Sequence, residues 1–197
     1  MILAGGTSSR MGRDKAWLEI DGQSLLSRQI QLLQKAGAQE VFISGRAGTD
    51  YSRFPCRVLH DELVDVGPLS GIERALTEMT TPLLLVLAVD MPRMTAKFLL
   101  RLLFGGEEQI GVIPRVNGKV EPLASSYPKV SLNLIKEMIS GSNREGAGEK
   151  SQHVERKSIS ATAFAEKCVE QRMARFVEGT ESETLFFSNW NSPADVE

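Results

Sequence analysis

Leu83-Leu84-Leu85-Val86-Leu87-Ala88-Val89 is an unbroken apolar run ending at Asp90. A strand with one wet face alternates apolar and polar residues; this one does not. It predicts a strand buried on both faces, the mark of the centre of a parallel sheet covered by helices. The run is far too short to span a bilayer.

The flanking sequence supplies the helices. Leu25, Leu26, Ile30 and Leu33 form a helical stripe, and Gly37 is placed to end it. Ile72, Ala75, Leu76 and Met79 repeat at i, i+3, i+4, i+7. Thr95 is suited to cap a helix carrying Phe98, Leu99, Leu102 and Leu103. Met1-Ile2-Leu3, Val41-Phe42-Ile43, Arg57 to His60 and Ile110 to Ile113 read as further strands. Strands alternating with helices imply βαβ units. The expected fold is therefore α/β: a single Rossmann-like domain over residues 1–197, in three layers around a mainly parallel sheet. Later, Leu132, Ile135 and Met138 predict a helix, and Ser140 to Ser158, polar and Gly-rich, a mobile loop. Phe164, Cys168, Val169, Met173 and Phe176 predict one more helix, and Leu185-Phe186-Phe187 a late strand.

Composition removes several function classes. A net charge of −2 gives no support to a general nucleic-acid binder. Cys56 and Cys168 stand far apart without metal-ligand spacing, as expected of reduced thiols in a cytoplasmic protein. No basic and apolar leader pattern opens the chain, and no membrane association is expected. His60 and His153 are solitary and receive no catalytic role. Trp17 and Trp190 are expected to pack in the core or at its rim.

In open α/β sheets ligands bind beyond the carboxyl ends of the strands. There lies Leu3-Ala4-Gly5-Gly6-Thr7-Ser8-Ser9-Arg10-Met11-Gly12-Arg13-Asp14-Lys15. Glycines without a Cβ let the backbone turn sharply and present N–H groups to phosphate oxygens. Arg10 and Lys15 add a planar fork and a point charge. The loop reads as a triphosphate cradle. It lacks the Gly-Lys-Ser/Thr ending of a Walker A loop and is not G-x-G-x-x-G. Asp90 ends the buried strand, where a carboxylate fits a Mg²⁺ ligand completed by substrate phosphates; taken alone it fits a loop-initiating Asp as well. Asp61 follows another strand and could meet ribose, base or metal, or simply start a turn. Gly67-Pro68-Leu69-Ser70-Gly71 could meet an anion at a helix N-terminus or serve only to start that helix tightly.

Taken in order, these segments resemble the molybdenum cofactor guanylyltransferase family. The first loop matches the pattern L-A-G-G-x-S-x-R-M-G-x-D-K. Glu19 to Gln23, Asp61 with Gly67 to Gly71, Val89-Asp90-Met91-Pro92 and Asn189-Trp190-Asn191-Ser192-Pro193 resemble its later blocks. The resemblance implies a fold of the nucleotide-diphospho-sugar-transferase type. It implies transfer of GMP from GTP to molybdopterin, with Mg²⁺ as cofactor. It places Leu3, Ala4, Gly5, Gly6, Lys15, Ser44, Asp61 and Asp90 at the nucleotide, Asp90 also on the metal, and Asn189 and Asn191 on the cofactor side. Arg10, Lys15 and Asp90 would carry catalysis. A molybdoenzyme or another cofactor-biosynthesis protein is the implied protein partner. Ser44 stands where the family has Asn, and Glu121 where His or Gln precedes Pro-Leu. A cytidylyl or sugar-phosphate transferase of the same fold, and a non-catalytic delivery protein, are the competing readings.

Overall fold

The structure is a computed structural model. It describes residues 1–5, 15–60, 67–104, 109–145, 160–188 and 190, and for 142–145 the backbone only. The elements in chain order are β1 (Ile2–Leu3), β2 (Glu19–Ile20), β3 (Gln23–Ser24), α1 (Leu25–Lys35), β4 (Phe42–Gly45), β5 (Arg57–His60), α2 (Pro68–Glu78), β6 (Leu83–Ala88), α3 (Ala96–Phe104), β7 (Gly111–Val116), β8 (Lys119–Val120), β9 (Ala124–Pro128), α4 (Leu132–Glu145), α5 (Ala161–Glu170) and β10 (Ala174–Glu178). Short 3₁₀ turns occupy Lys15–Trp17, Lys129–Ser131 and Glu181–Phe187.

The main sheet has the order β5-β4-β1-β6-β9. Its first four strands are parallel, and β9 runs antiparallel beside β6. Alternate residues of each strand enter different cores. Ile2, Ile43, Leu85 and Leu87 pack with Leu25, Leu26, Ile30 and Leu33 of α1 and Phe98, Leu99 and Leu102 of α3. Leu3, Phe42, Leu84 and Val86 pack with Leu69, Ile72 and Leu76 of α2, and with α4 and α5. This is the expected three-layer fold, and β6 is buried on both faces as expected; the centre of the sheet, however, is β1, and β6 lies between it and antiparallel β9, which covers its other edge. Among the described residues no helix is long and apolar enough to cross a membrane.

Local chemistry explains the boundaries. Ser24 caps α1 through the Ser27 N–H, and Gly37, at φ +82°, ends it in the left-handed region that suits glycine. Thr95 Oγ1 receives the Phe98 N–H at 3.3 Å at the start of α3. Asp21 and Gly22, both at positive φ, make the two-residue turn between β2 and β3.

The later third departs from expectation. β9 is a strand of small and polar residues, Ala-Ser-Ser-Tyr-Pro, and is wholly buried. Its serines replace apolar contacts with hydrogen bonds. Ser126 Oγ receives the Val112 N–H at 2.9 Å and donates to Leu102 O at 2.8 Å, joining β9 to β7 and α3. α4 continues to Glu145, so the first part of the expected loop is helical; 146–159 lie outside the described residues. The single helix expected from Phe164 to Phe176 is two elements. Arg172, at φ +58°, breaks α5, and Phe176 lies in β10, which pairs in parallel with β7. Leu185-Phe186-Phe187 is not a strand. Thr180 and Glu183 form a capping box that nucleates a 3₁₀ turn there.

Candidate functional site

The chain leaves β1, reaches β4 and β5 on one side, then crosses by α2 to β6 on the other side of β1. That reversal opens a crevice at the carboxyl ends of β1 and β6, the usual ligand position in such sheets. Leu3 is in register with Ser44 on one side and Ala88 on the other. Ala4-Gly5, Ser44-Gly45 and Val89-Asp90 therefore leave three adjacent strands side by side.

Two of the three expected catalytic residues meet in this crevice. Lys15, on its 3₁₀ turn, places Nζ 2.9 Å from Asp90 Oδ2, with each side chain about one fifth exposed (20% and 18%). They are 75 positions apart in sequence. Asp90 is fixed on other sides too. Its carbonyl receives the Trp190 N–H at 3.0 Å, and the Val89 N–H donates to Leu3 O at 3.1 Å. The Trp190 bond brings the centre of the Asn189-Trp190-Asn191 segment against the Asp90 turn. Asn189 and Asn191 themselves lie outside the described residues, as do Gly6, Arg10 and Asp61. β5, which leads into Asp61, ends at His60 in register with Gly45.

One expectation about the cradle changes. The N–H groups of Ala4 and Gly5 both donate to Ser44 O at 2.9 Å. The pairing of β1 with β4 thus consumes the first donors of the loop, so the Gly5 N–H is not part of a phosphate nest. Ser44 is buried beneath this junction (2% exposed), and Gly71 of α2 lies against it. A Cβ on Gly71 would stand 2.4 Å from Ser44 Oγ. Gly71 therefore serves the close approach of α2 to the floor of the crevice.

Leu123 ties its segment to the end of β6, its O receiving the Ala88 N–H at 2.8 Å, while the Glu121 N–H two residues earlier donates to Pro114 O of β7. The buried Glu121 carboxylate pairs with Lys119 Nζ at 3.0 Å. Trp17 is rim packing, as expected: it stacks on Tyr51 and Phe54, with the Arg53 guanidinium 4.2 Å from its ring centre. Burial raises both cysteine thiols, Cys168 to about 12, so neither offers a thiolate nucleophile.

Asp90 fits a divalent cation. It is a hard oxygen donor that already draws a cation to 2.9 Å. Among the described residues no cluster of three His, Cys, Asp or Glu could hold a metal unaided. One carboxylate completed by substrate phosphates is how Mg²⁺ is commonly held.

The model of the MobA-like NTP transferase domain family matches residues 1–156. A probable molybdenum cofactor guanylyltransferase of Opitutus terrae is 36% identical over 197 residues, covering 98% of this chain and 90% of that protein. The chain belongs to the MobA-like NTP transferase family. Among solved structures, molybdopterin-guanine dinucleotide biosynthesis protein A of Archaeoglobus fulgidus superposes with a TM-score of 0.69. It is 21% identical, with 99% of this chain and 93% of that one covered. The 2-C-methyl-D-erythritol 4-phosphate cytidylyltransferase of Thermus thermophilus gives 0.65 at 17% identity, covering 99% and 94%. The MobA-like fold is thus shared with an enzyme named for cytidylyl transfer, and fold alone does not choose the base.

Sequence reading missed Gln29. It lies on the core stripe of α1, yet its amide reaches the backbone around Asp90. The available signal was a polar residue one turn from both Leu25 and Leu33.

Proposed function

We propose that this protein transfers GMP from GTP to the terminal phosphate of molybdopterin, releasing pyrophosphate, and that it requires Mg²⁺. The observation that carries this is the meeting of Lys15 and Asp90 at 2.9 Å at the carboxyl ends of β1 and β6, in a chain of this family.

An acceptor phosphate oxygen attacks the α-phosphorus of GTP. A new P–O bond forms, the bond to the bridging oxygen breaks, and pyrophosphate leaves with the electron pair. The acceptor is already an anion and needs no strong general base. The obstacle is repulsion between two anions, so the protein's task is positioning and charge stabilisation. Lys15 exchanges its contact with Asp90 for the triphosphate and offsets the charge of the leaving pyrophosphate. Arg10, on the same loop, adds a second cation. Asp90 would hold the metal through its carboxylate. Bound Mg²⁺ supplies neutralisation of phosphate charge. The Ala4-Gly5 and Ser44 junction forms the floor under the nucleotide, with Leu3, Gly6 and Asp61 as its further contacts. Asn189 and Asn191 are assigned to the pterin acceptor; the bond from the Trp190 N–H to Asp90 O, in the same segment, supports that reading.

The test is calorimetry with GTP, CTP and ATP, in Mg²⁺ and again in EDTA, followed by turnover of α-labelled GTP with molybdopterin. Magnesium-dependent preference for GTP with labelled product is expected. Preference for CTP would change the product but keep the reaction. Binding without turnover would favour a delivery protein.

A further inference from the structure

Gln29 has no place in the chemistry above, yet it touches the backbone that carries it. α1 is seated on the sheet by Leu25, Leu26, Ile30 and Leu33, and Gln29 shares their stripe at 2% exposure. A primary amide buried among leucines is costly unless hydrogen-bonded. Here Nε2 donates to Met91 O at 2.7 Å and reaches Val89 O at 3.5 Å. These are the two carbonyls on either side of Asp90. A leucine at position 29 would suit the stripe better, and would leave both carbonyls without that donor.

We propose that Gln29 is a positioning residue for the metal-binding carboxylate: by holding the carbonyls of Val89 and Met91, it fixes the Asp90 turn so that the carboxylate faces Lys15 and the nucleotide-bound divalent cation. This rests on the nucleotidyltransferase reading of the same site. The bonds come from a different element than the other backbone ties on this turn; Met91 O also receives the Met94 N–H at 3.2 Å from within the turn itself. Leu3 O holds the Val89 N–H from β1, and the Trp190 N–H holds Asp90 O from the C-terminal segment. Gln29 is the tie from the helix layer. Groups that orient a metal ligand indirectly commonly change metal affinity or activity by about 10–100-fold when removed.

The test uses Gln29→Leu in the full chain, with Gln29→Met as a second variant in case the first fails to fold. Urea unfolding establishes that each is folded. Mn²⁺ affinity in the presence of GTP is read by electron paramagnetic resonance, GTP affinity is measured in EDTA, and kcat and KM are measured separately. Removal of the amide is expected to weaken Mn²⁺ binding in the GTP complex about tenfold and to lower kcat by a similar factor. Metal-free GTP affinity and KM should stay within about twofold. A folded variant with unchanged Mn²⁺ affinity overturns the proposal. So does an equal loss of GTP affinity with and without metal, which marks a merely structural amide. If the wild-type protein binds neither GTP nor Mn²⁺ with GTP, the parent reading falls and this one with it. Wild-type binding with unaffected variants removes only the role of Gln29.

Discussion

Replacing Gly71 by Ala tests how tightly the floor of the crevice is built. The new Cβ would lie 2.4 Å from Ser44 Oγ, 3.0 Å from Ser44 Cβ and 3.1 Å from Leu3 Cδ2. Rotating the serine hydroxyl away relieves the first contact but not the second, because Ser44 Cβ is fixed to buried β4. Forcing a methyl into a packed site costs roughly 1–3 kcal/mol. The gain in helix propensity from Gly to Ala returns at most about 1 kcal/mol. A net loss of about 1–2 kcal/mol is expected, seen as a fall in Tm of roughly 2–8 °C for a chain of this size. Ser44 O also holds the Ala4 and Gly5 N–H groups, so the shift should reach the start of the cradle and weaken GTP binding. Urea unfolding with an unchanged m-value measures the first effect, and calorimetry the second. Adding Ser44→Gly removes both serine atoms and leaves only the flexible end of Leu3. The pair should therefore show a favourable coupling of about 1 kcal/mol. A Gly71→Ala protein as stable as wild type would refute the packing argument.

Asp90→Ala should abolish turnover with little effect on folding; near-wild-type turnover would remove its proposed metal role. Lys15→Ala should weaken GTP binding and lower the rate by about 10²–10³, the scale seen when one charge-stabilising donor is lost. GTP affinity equal to wild type would exclude Lys15 from the cradle. Ser126→Ala leaves the Val112 N–H and Leu102 O without their shared partner, and should cost about 1–3 kcal/mol in thermal or urea unfolding; a neutral result would mean that β7 and β9 need no such bridge.

The amphipathic stripes of α1, α2 and α3, and the unbroken run of β6, were legible because each is repeated locally in the chain. Periodicity is a property of neighbours, and so are the Thr95 and Gly37 ends of the helices. Lys15 and Asp90 were singled out for the related reason that each follows a strand end, and the structure brings the two together. β9 was not legible: Ser125 and Ser126 look like surface residues, and they are buried only because Glu121, Leu102 and Val112 supply partners from other elements. The break between α5 and β10 depends on pairing with β7, a distant strand. By itself the sequence determined the layers, the parallel sheet and the chemical types at its carboxyl edge. Only the tertiary structure decided that Lys15 meets Asp90, that Gly5 spends its N–H on Ser44, and that Gln29 and Trp190 hold the Asp90 turn. These contacts join residues far apart in the chain, and their energies exist only once the sheet register has brought them within reach.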